Sequence, residues 1–128
     1  MILVDTDVLI AHLRGQAAAR DWLRSSREKG PLAASAVTVT ELTGGMGSPE
    51  RHEVARLLAT LTLRSVTLPI ARRAGAFMRS YRSSHSGIGL GDYLVAATAE
   101  VLGLELATLN VRHFPMFDGL QAPFVLTD

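Results

Sequence analysis

The sequence predicts an α/β fold in which helices flank a central, mostly parallel sheet of four to five strands. Short apolar runs alternate along the 128 residues with longer segments of helical periodicity. No repeat, low-complexity stretch or long linker interrupts this alternation. Strands that alternate with helices are typical of parallel sheets buried on both faces. We expect residues 1–128 to form a single domain, because their number matches one ordinary domain.

The first two strands are predicted from short apolar runs that are bounded by polar or turn-forming residues. Residues 2–4 form an apolar run ending at Asp5, as a buried strand ends before its loop. The composition of residues 17–29 predicts a helix, which the pair Gly30-Pro31 interrupts. Residues 32–35 follow directly and are predicted as the second strand.

Two helices are predicted on either side of a glycine-rich segment. The first begins after the second strand, passes through Glu41 and ends in the glycines of residues 44–47. Ser48 and Pro49 are typical of a helix cap and a first helical position. Four apolar residues then share one face of the next helix: Val54, Leu57, Leu58 and Leu61.

The second half of the chain predicts two or three further strands. Residues 65–68 are expected to form the third strand, and Pro69 to open the helix that follows. A later helix begins near Asp92 and is closed by Gly103. Residues 104–109 predict a fourth strand, and the sequence FVL near the end is a candidate fifth strand. The apolar face of the helix after Pro69 contains Ile70, Ala74, Phe77, Met78 and Tyr81.

Composition argues against export and against a membrane span. The chain has no cysteine, which excludes disulfides and thiolate metal sites. Its start has acids at Asp5 and Asp7 and lacks the basic and apolar regions of a signal peptide. The longest apolar-rich stretch, residues 93–109, is interrupted by Glu100 and is shorter than the ~20 residues of a membrane span. We therefore expect a cytoplasmic protein without membrane association.

Several polar side chains are expected at one edge of the predicted sheet. Asp5 ends the first strand, Glu41 lies in the helix after the second, and Asp92 begins the helix before the fourth. Thr108 and Asn110 follow the fourth strand. In parallel α/β sheets, ligands bind beyond the carboxyl ends of the strands. These residues therefore predict a site at that edge.

Three crowded carboxylates predict a divalent cation. Carboxylates at close quarters repel one another and raise one another's pKa unless a cation lies among them. Magnesium, with manganese as its substitute, prefers oxygen ligands and also binds substrate phosphates. Zinc is disfavoured because cysteine is absent and because the segment HEVAR, residues 52–56, lacks the second histidine of a zinc-protease helix.

The candidate residues lie in four segments, ILVDTDVLI at 2–10, SAVTVTEL at 35–42, GDYLVAATA at 91–99 and LATLNVRHF at 106–114. Together these segments resemble the successive motifs of PIN-domain ribonucleases, and more narrowly the toxins of the VapC type. The similarity covers nearly the whole chain, in order. It implies a three-layer PIN-like fold, magnesium-dependent cleavage of an RNA substrate, a homodimer and inhibition by a cognate antitoxin. We expect the antitoxin to pack against Trp22 or a helix over 50–63.

The resemblance also assigns residues to the site. Asp5, Glu41 and Asp92 match the metal-binding and catalytic acids of the family, and Asn110 stands where many members have a fourth acid. Asn110 is a metal ligand, a substrate contact or a turn former.

Three further residues are additional candidates on the same basis. Thr6 and Thr108 match hydroxyl positions that flank the family's site. Asp7 either joins the acidic cluster or only caps the first helix.

Two other functional interpretations remain at the level of the sequence. The missing fourth acid allows a catalytically weak or inactive PIN-like module that binds RNA or protein. The opening VDTDVL also fits haloacid dehalogenase phosphatases, and an early acidic pair fits receiver domains. Both of those classes normally need a downstream lysine, and no lysine follows Lys29.

Overall fold

Four short parallel strands form one sheet in residues 1–126, the part of the chain that the computed structural model describes. The strands are β1 (Ile2–Val4), β2 (Leu32–Ser35), β3 (Thr62–Arg64) and β4 (Glu105–Ala107). Their order across the sheet is β3-β2-β1-β4. Leu3 of β1 pairs with Ala33 on one side and Leu106 on the other.

Six α-helices connect and cover these strands. They are α1 (Thr6–Leu13), α2 (Ala17–Lys29), α3 (Ala36–Gly45), α4 (Arg51–Ala59), α5 (Leu68–Tyr81) and α6 (Leu90–Leu102). The helices lie on both faces of the sheet and give three layers, because β1 and β2 bury alternate residues in opposite directions. Leu3 packs in an apolar cluster with α5 and α6, whereas Val4 packs in a second cluster with α1, α2, α3 and α4. The predicted α/β fold class is confirmed.

The strand order creates a crevice between β1 and β4. The chain runs outward from β1 to β2 and β3, then returns to pair β4 with the other side of β1. At such a reversal, the connections that leave the two neighbouring strands run to opposite sides and leave a crevice between them. Ligands bind in this crevice, at the carboxyl ends of the strands. Asp5 and Thr108 directly follow β1 and β4, so both lie at this crevice.

Three predictions about individual elements are wrong. The third strand is Thr62–Arg64 and not residues 65–68, because Thr67 caps α5 and its hydroxyl accepts from the Ile70 amide at 3.4 Å. Ser48 is not a helix cap, since Gly47 precedes a 3₁₀ turn over Ser48–Glu50. The proposed fifth strand over residues 124–126 does not form. Phe124 packs instead against Trp22, with ring centroids 6.1 Å apart.

Within residues 1–126, none of the helices combines the length and the apolar character needed to cross a membrane.

Candidate functional site

A pocket of about 190 Å³ at the carboxyl edge of the sheet brings together most of the predicted site residues. We call it the acidic pocket. Its lining residues are Asp5, Thr6, Asp7, Ile10, Glu41, Asp92 and Asn110. Thr108 is fully buried and bonds the Asp5 side chain directly. Every site residue predicted from the sequence is therefore in the pocket or in contact with it.

Asp5 is placed by the end of β1 and the start of α1. It is the N-cap of α1, and its Oδ1 accepts from the Thr6 amide at 2.9 Å. Its Oδ2 accepts from the Thr108 hydroxyl at 2.8 Å. Only 7% of Asp5 is exposed. Burial, followed by the negative charge of Asp7, raises the pKa of Asp5 from 3.8 to about 7, although its hydrogen bonds oppose this shift.

Asp7 belongs to the acidic cluster and does not cap α1. Its Oδ2 accepts from the Leu109 amide at 3.0 Å and lies 3.2 Å from the Thr108 hydroxyl. Its Oδ1 is buried and has no hydrogen-bond partner among the described residues. Burial raises the pKa of Asp7 as well. Because the Thr108 hydroxyl has one proton and faces both Asp5 and Asp7, it cannot satisfy the two carboxylates fully.

Glu41 extends from α3 and is held by a hydroxyl of α1. The Thr6 hydroxyl donates to Glu41 Oε1 at 2.6 Å and also lies 2.9 Å from the Thr38 hydroxyl. Gly91 of α6 lies beside the other oxygen, since a Cβ there would be in van der Waals contact with Glu41 Oε2 at 3.5 Å. Glu41 as a whole residue is exposed, so its carboxylate lies at the opening of the pocket.

Asp92 is at the third position of α6 and completes a capping box with Gly89. Its Oδ2 accepts from the Gly89 amide at 3.0 Å. The same oxygen lies 3.0 Å from Nδ1 of His113. Both of these contacts therefore involve one oxygen of Asp92 and leave Oδ1 available to a ligand. Asp92 thus stabilises the helix start and lines the acidic pocket at the same time.

Asn110 lines the pocket from the segment after β4, and His113 of the same segment contacts Asn110 and Asp92. The backbone N–H of Asn110 donates to the Thr108 hydroxyl at 3.1 Å, and a 3₁₀ turn over Val111–His113 follows. The side-chain nitrogen of Asn110 lies 2.8 Å from Nδ1 of His113. The sequence prediction missed His113. Its signal was the spacing N-x-x-H after the strand, because positions i and i+3 of a 3₁₀ turn lie on the same side.

The donor set of the pocket suits a hard divalent cation. Carboxylate oxygens, here those of Asp5, Glu41 and Asp92, are ligands that magnesium and manganese prefer. The unpartnered Oδ1 of Asp7 and the raised pKa of Asp5 indicate negative charge that the protein groups do not balance. Among residues 1–126, however, no three Asp, Glu, His or Cys side chains converge closely enough to form a ready-made metal centre.

Comparison with known proteins gives a consistent result. Residues 2–119 match the family model of the PIN domain. Ribonuclease VapC10 of Mycobacterium tuberculosis is 64% identical over 126 residues, which cover 98% of this chain and 95% of that protein.

Ribonuclease VapC19 of the same species is 43% identical over 125 residues, which cover 97% of this chain and 100% of that protein. A solved structure described as a toxin-antitoxin complex from Klebsiella pneumoniae has a TM-score of 0.75 at 28% identity, covering 97% of this chain and 98% of its own. The family match spans every residue that lines the acidic pocket.

Proposed function

This chain belongs to the PIN-domain family as a ribonuclease toxin of the VapC type, and we propose that it hydrolyses RNA with a divalent cation, magnesium or manganese, held by Asp5, Glu41 and Asp92. The observation that supports this ligand set is the acidic pocket itself. Three carboxylates separated by more than thirty positions along the chain line one small pocket at the carboxyl edge of the sheet. Structural requirements alone do not explain such an accumulation of like charge.

The acidic pocket repels RNA when no cation is present, since every phosphate of the substrate is negative. A bound divalent cation supplies a Lewis acid that lowers the pKa of water and stabilises negative charge on the reacting phosphate. The protein groups hold the carboxylates in place for this task. Thr6 fixes one oxygen of Glu41, Thr108 fixes one oxygen of Asp5, and the Gly89 amide fixes one oxygen of Asp92.

The proposed substrate places the protein in the cytoplasm. A ribonuclease toxin has to share a compartment with the cellular RNA that it cleaves. We propose that flanking phosphates of this RNA are bound by arginines, which form bidentate contacts with phosphate. The sequence favours this choice, because every basic residue except Lys29 is an arginine.

The proposed antitoxin binds a groove next to the acidic pocket. The groove lies between α1, α3 and α4, and it shares Ile10 and Glu41 with the pocket. Its other lining residues are Leu13, Arg14, Leu42, Gly45, Met46, Glu50 and Val54. An amphipathic segment seated there would have its apolar side chains on this surface and would extend toward the acids. Trp22 is a weaker candidate for this contact, because Phe124 packs against its ring.

A homodimer is the proposed assembly of the toxin. Apolar side chains are exposed at the edge strand β3 and the start of α5, where Leu63 is 46% exposed and Leu68 is 62% exposed. Apolar side chains exposed on an edge strand and at a helix start favour association. Light scattering of the purified toxin should give the mass of two chains. The mass of one chain would contradict this assembly.

The proposed cleavage chemistry is tested with purified protein and a structured RNA. We expect cutting with magnesium or manganese and none in excess EDTA, with activity restored when the cation is returned. The variant Asp5→Asn should lose activity, whereas Glu28→Gln, an exposed acid on α2, should retain it. Equal cutting in EDTA would contradict the metal mechanism.

The alternative, binding of RNA without cleavage, predicts a different result in the same experiment. The protein would then retain RNA with or without the cation, and the RNA would remain intact. The ribonuclease names of relatives that are 64% and 43% identical support cleavage.

A further inference from the structure

One ring nitrogen lies between two side chains of the acidic pocket. Nδ1 of His113 is 3.0 Å from Oδ2 of Asp92 and 2.8 Å from the terminal amide group of Asn110. A single imidazole nitrogen either carries a proton and donates or lacks one and accepts. Both neighbours therefore have to suit the same protonation state of Nδ1.

The Asp92 carboxylate requires a proton on Nδ1. An ionised carboxylate only accepts hydrogen bonds, so an unprotonated Nδ1 would place two lone pairs 3.0 Å apart. A protonated Nδ1 donates instead, and a hydrogen bond to a charged oxygen is stronger than one between neutral groups. The Gly89 amide already donates to the same oxygen. Two donors on Oδ2 therefore hold the carboxylate in one orientation.

The proton on Nδ1 also determines which end of the Asn110 amide faces His113. The oxygen and nitrogen of this amide have nearly the same size, and the surrounding hydrogen bonds decide their positions. A donating Nδ1 requires the amide oxygen at the 2.8 Å contact, because two donors would otherwise face each other. The amide nitrogen then takes the other position on a side chain that lines the acidic pocket.

We propose that His113 is a positioning residue whose Nδ1–H is shared, as a bifurcated hydrogen bond, between Asp92 and the amide oxygen of Asn110, so that Asn110 offers its NH₂ group to a phosphate oxygen of the RNA and is not a metal ligand. That the group bound by Asn110 is a phosphate of an RNA substrate rests on the proposed function. An NH₂ group donates hydrogen bonds and has no lone pair available for a cation. Asn110 therefore binds substrate where a fourth acid would bind metal.

The tautomer of His113 is a direct test that needs neither metal nor RNA. Nitrogen NMR of the imidazole in metal-free protein, at mildly alkaline pH, distinguishes a proton on Nδ1 from one on Nε2. We expect the proton on Nδ1. A neutral ring with the proton on Nε2 would overturn the proposal.

The role of Asn110 is tested by separating metal binding from cleavage. In Asn110→Ala, we expect the Kd for manganese, measured by calorimetry without RNA, to change by less than about threefold, while kcat/KM for RNA falls at least about tenfold. A manganese Kd weakened beyond about threefold would make Asn110 a metal ligand, and an unchanged kcat/KM would remove its contact with substrate. Wild-type protein that binds no manganese would refute the proposed function instead, and the NMR result would still decide the tautomer.

A matched series tests the positioning role of His113. In His113→Asn, an amide nitrogen stands near the place of Nδ1 and can donate to Asp92. In His113→Asp, a carboxylate of the same size can only accept and repels Asp92. We expect the Asn variant to retain most of the activity and the Asp variant to lose at least about tenfold in kcat, with both folded by circular dichroism. Equal activity of the two variants would overturn the proposal.

Discussion

The single hydroxyl proton of Thr108 illustrates the electrostatics of the site at the scale of one residue. It faces Asp5 at 2.8 Å and Asp7 at 3.2 Å, and both carboxylates are largely withdrawn from water. Two negative charges cannot share one proton donor without cost in a buried environment. Asp5 responds by holding its own proton up to a pH of about 7 when no cation is present.

The stability of the metal-free protein should decrease as pH rises from about 4 to about 7. Asp5 has a pKa of about 7 in the folded protein and 3.8 in the unfolded chain, so folding retains a proton across this range. Each pH unit between these values then lowers the free energy of unfolding by up to about 1.4 kcal/mol, and the raised pKa of Asp7 acts in the same direction. Thermal melts in EDTA measure this decline.

Asp5→Asn provides the control for this pH dependence. The amide does not titrate, so the decline should be much smaller in the variant. Saturating manganese should also reduce the decline in the wild type, because a cation favours the ionised carboxylate. A decline of the same size in both proteins would assign it to other groups.

Asp92→Asn should separate stability from activity. An amide oxygen can accept from both Gly89 and His113 as Oδ2 does, so the loss of stability should be at most about 1 kcal/mol, from the weaker interaction with the helix dipole. Cleavage should fall at least about a hundredfold, since the variant loses the negative charge facing the cation. Melting curves and cleavage rates of the same preparation check both effects. A variant that melts early and cuts RNA normally would make Asp92 a helix cap only.

At the scale of helices and strands, the sequence predicted the location of most elements and missed those set by tertiary context. The acids could be located from the sequence because Asp5 directly follows the first strand, Glu41 lies in the helix after the second strand and Asp92 lies at the start of the helix before the fourth. The position of the third strand could not be predicted, since Thr62–Arg64 and residues 65–68 have similar β propensity. Pairing of Ala33 with Thr62 and capping of α5 by Thr67 decide between them. His113 was missed because no apolar periodicity marks a short 3₁₀ turn.

The same substitution should have opposite effects in two helices. Gly75 is exposed in the middle of α5, and a Cβ there has nothing within 4 Å, so Gly75→Ala should stabilise by roughly 0.5–1 kcal/mol. Gly103 ends α6 in the left-handed conformation with φ of 65°, so Gly103→Ala should destabilise by about 1 kcal/mol. Urea unfolding measures both. Changes of the same sign would contradict this account of the two helix positions.

At the scale of the whole molecule, the groove between α1, α3 and α4 should control antitoxin binding independently of catalysis. Met46→Glu places a charge on this apolar surface and should weaken antitoxin affinity at least about tenfold, with RNA cleavage by the free toxin unchanged. Val101→Glu is the control, because Val101 is an exposed apolar residue outside the groove and lies at the far end of α6 from Asp92. Titration with purified antitoxin measures both. Equal affinity of the two variants would place the antitoxin elsewhere.

The long return from β3 to β4 determines when a newly made chain becomes dangerous to its own cell. The Asp5–Thr108 hydrogen bond joins residues 103 positions apart, so the acidic pocket is complete only after β4 has been synthesised. At about 5–20 residues per second, that interval lasts roughly 5–20 s. The groove between α1, α3 and α4 is encoded entirely within residues 10–54 and leaves the ribosome earlier. The surface proposed for the antitoxin is therefore synthesised before the last residues that the acidic pocket requires.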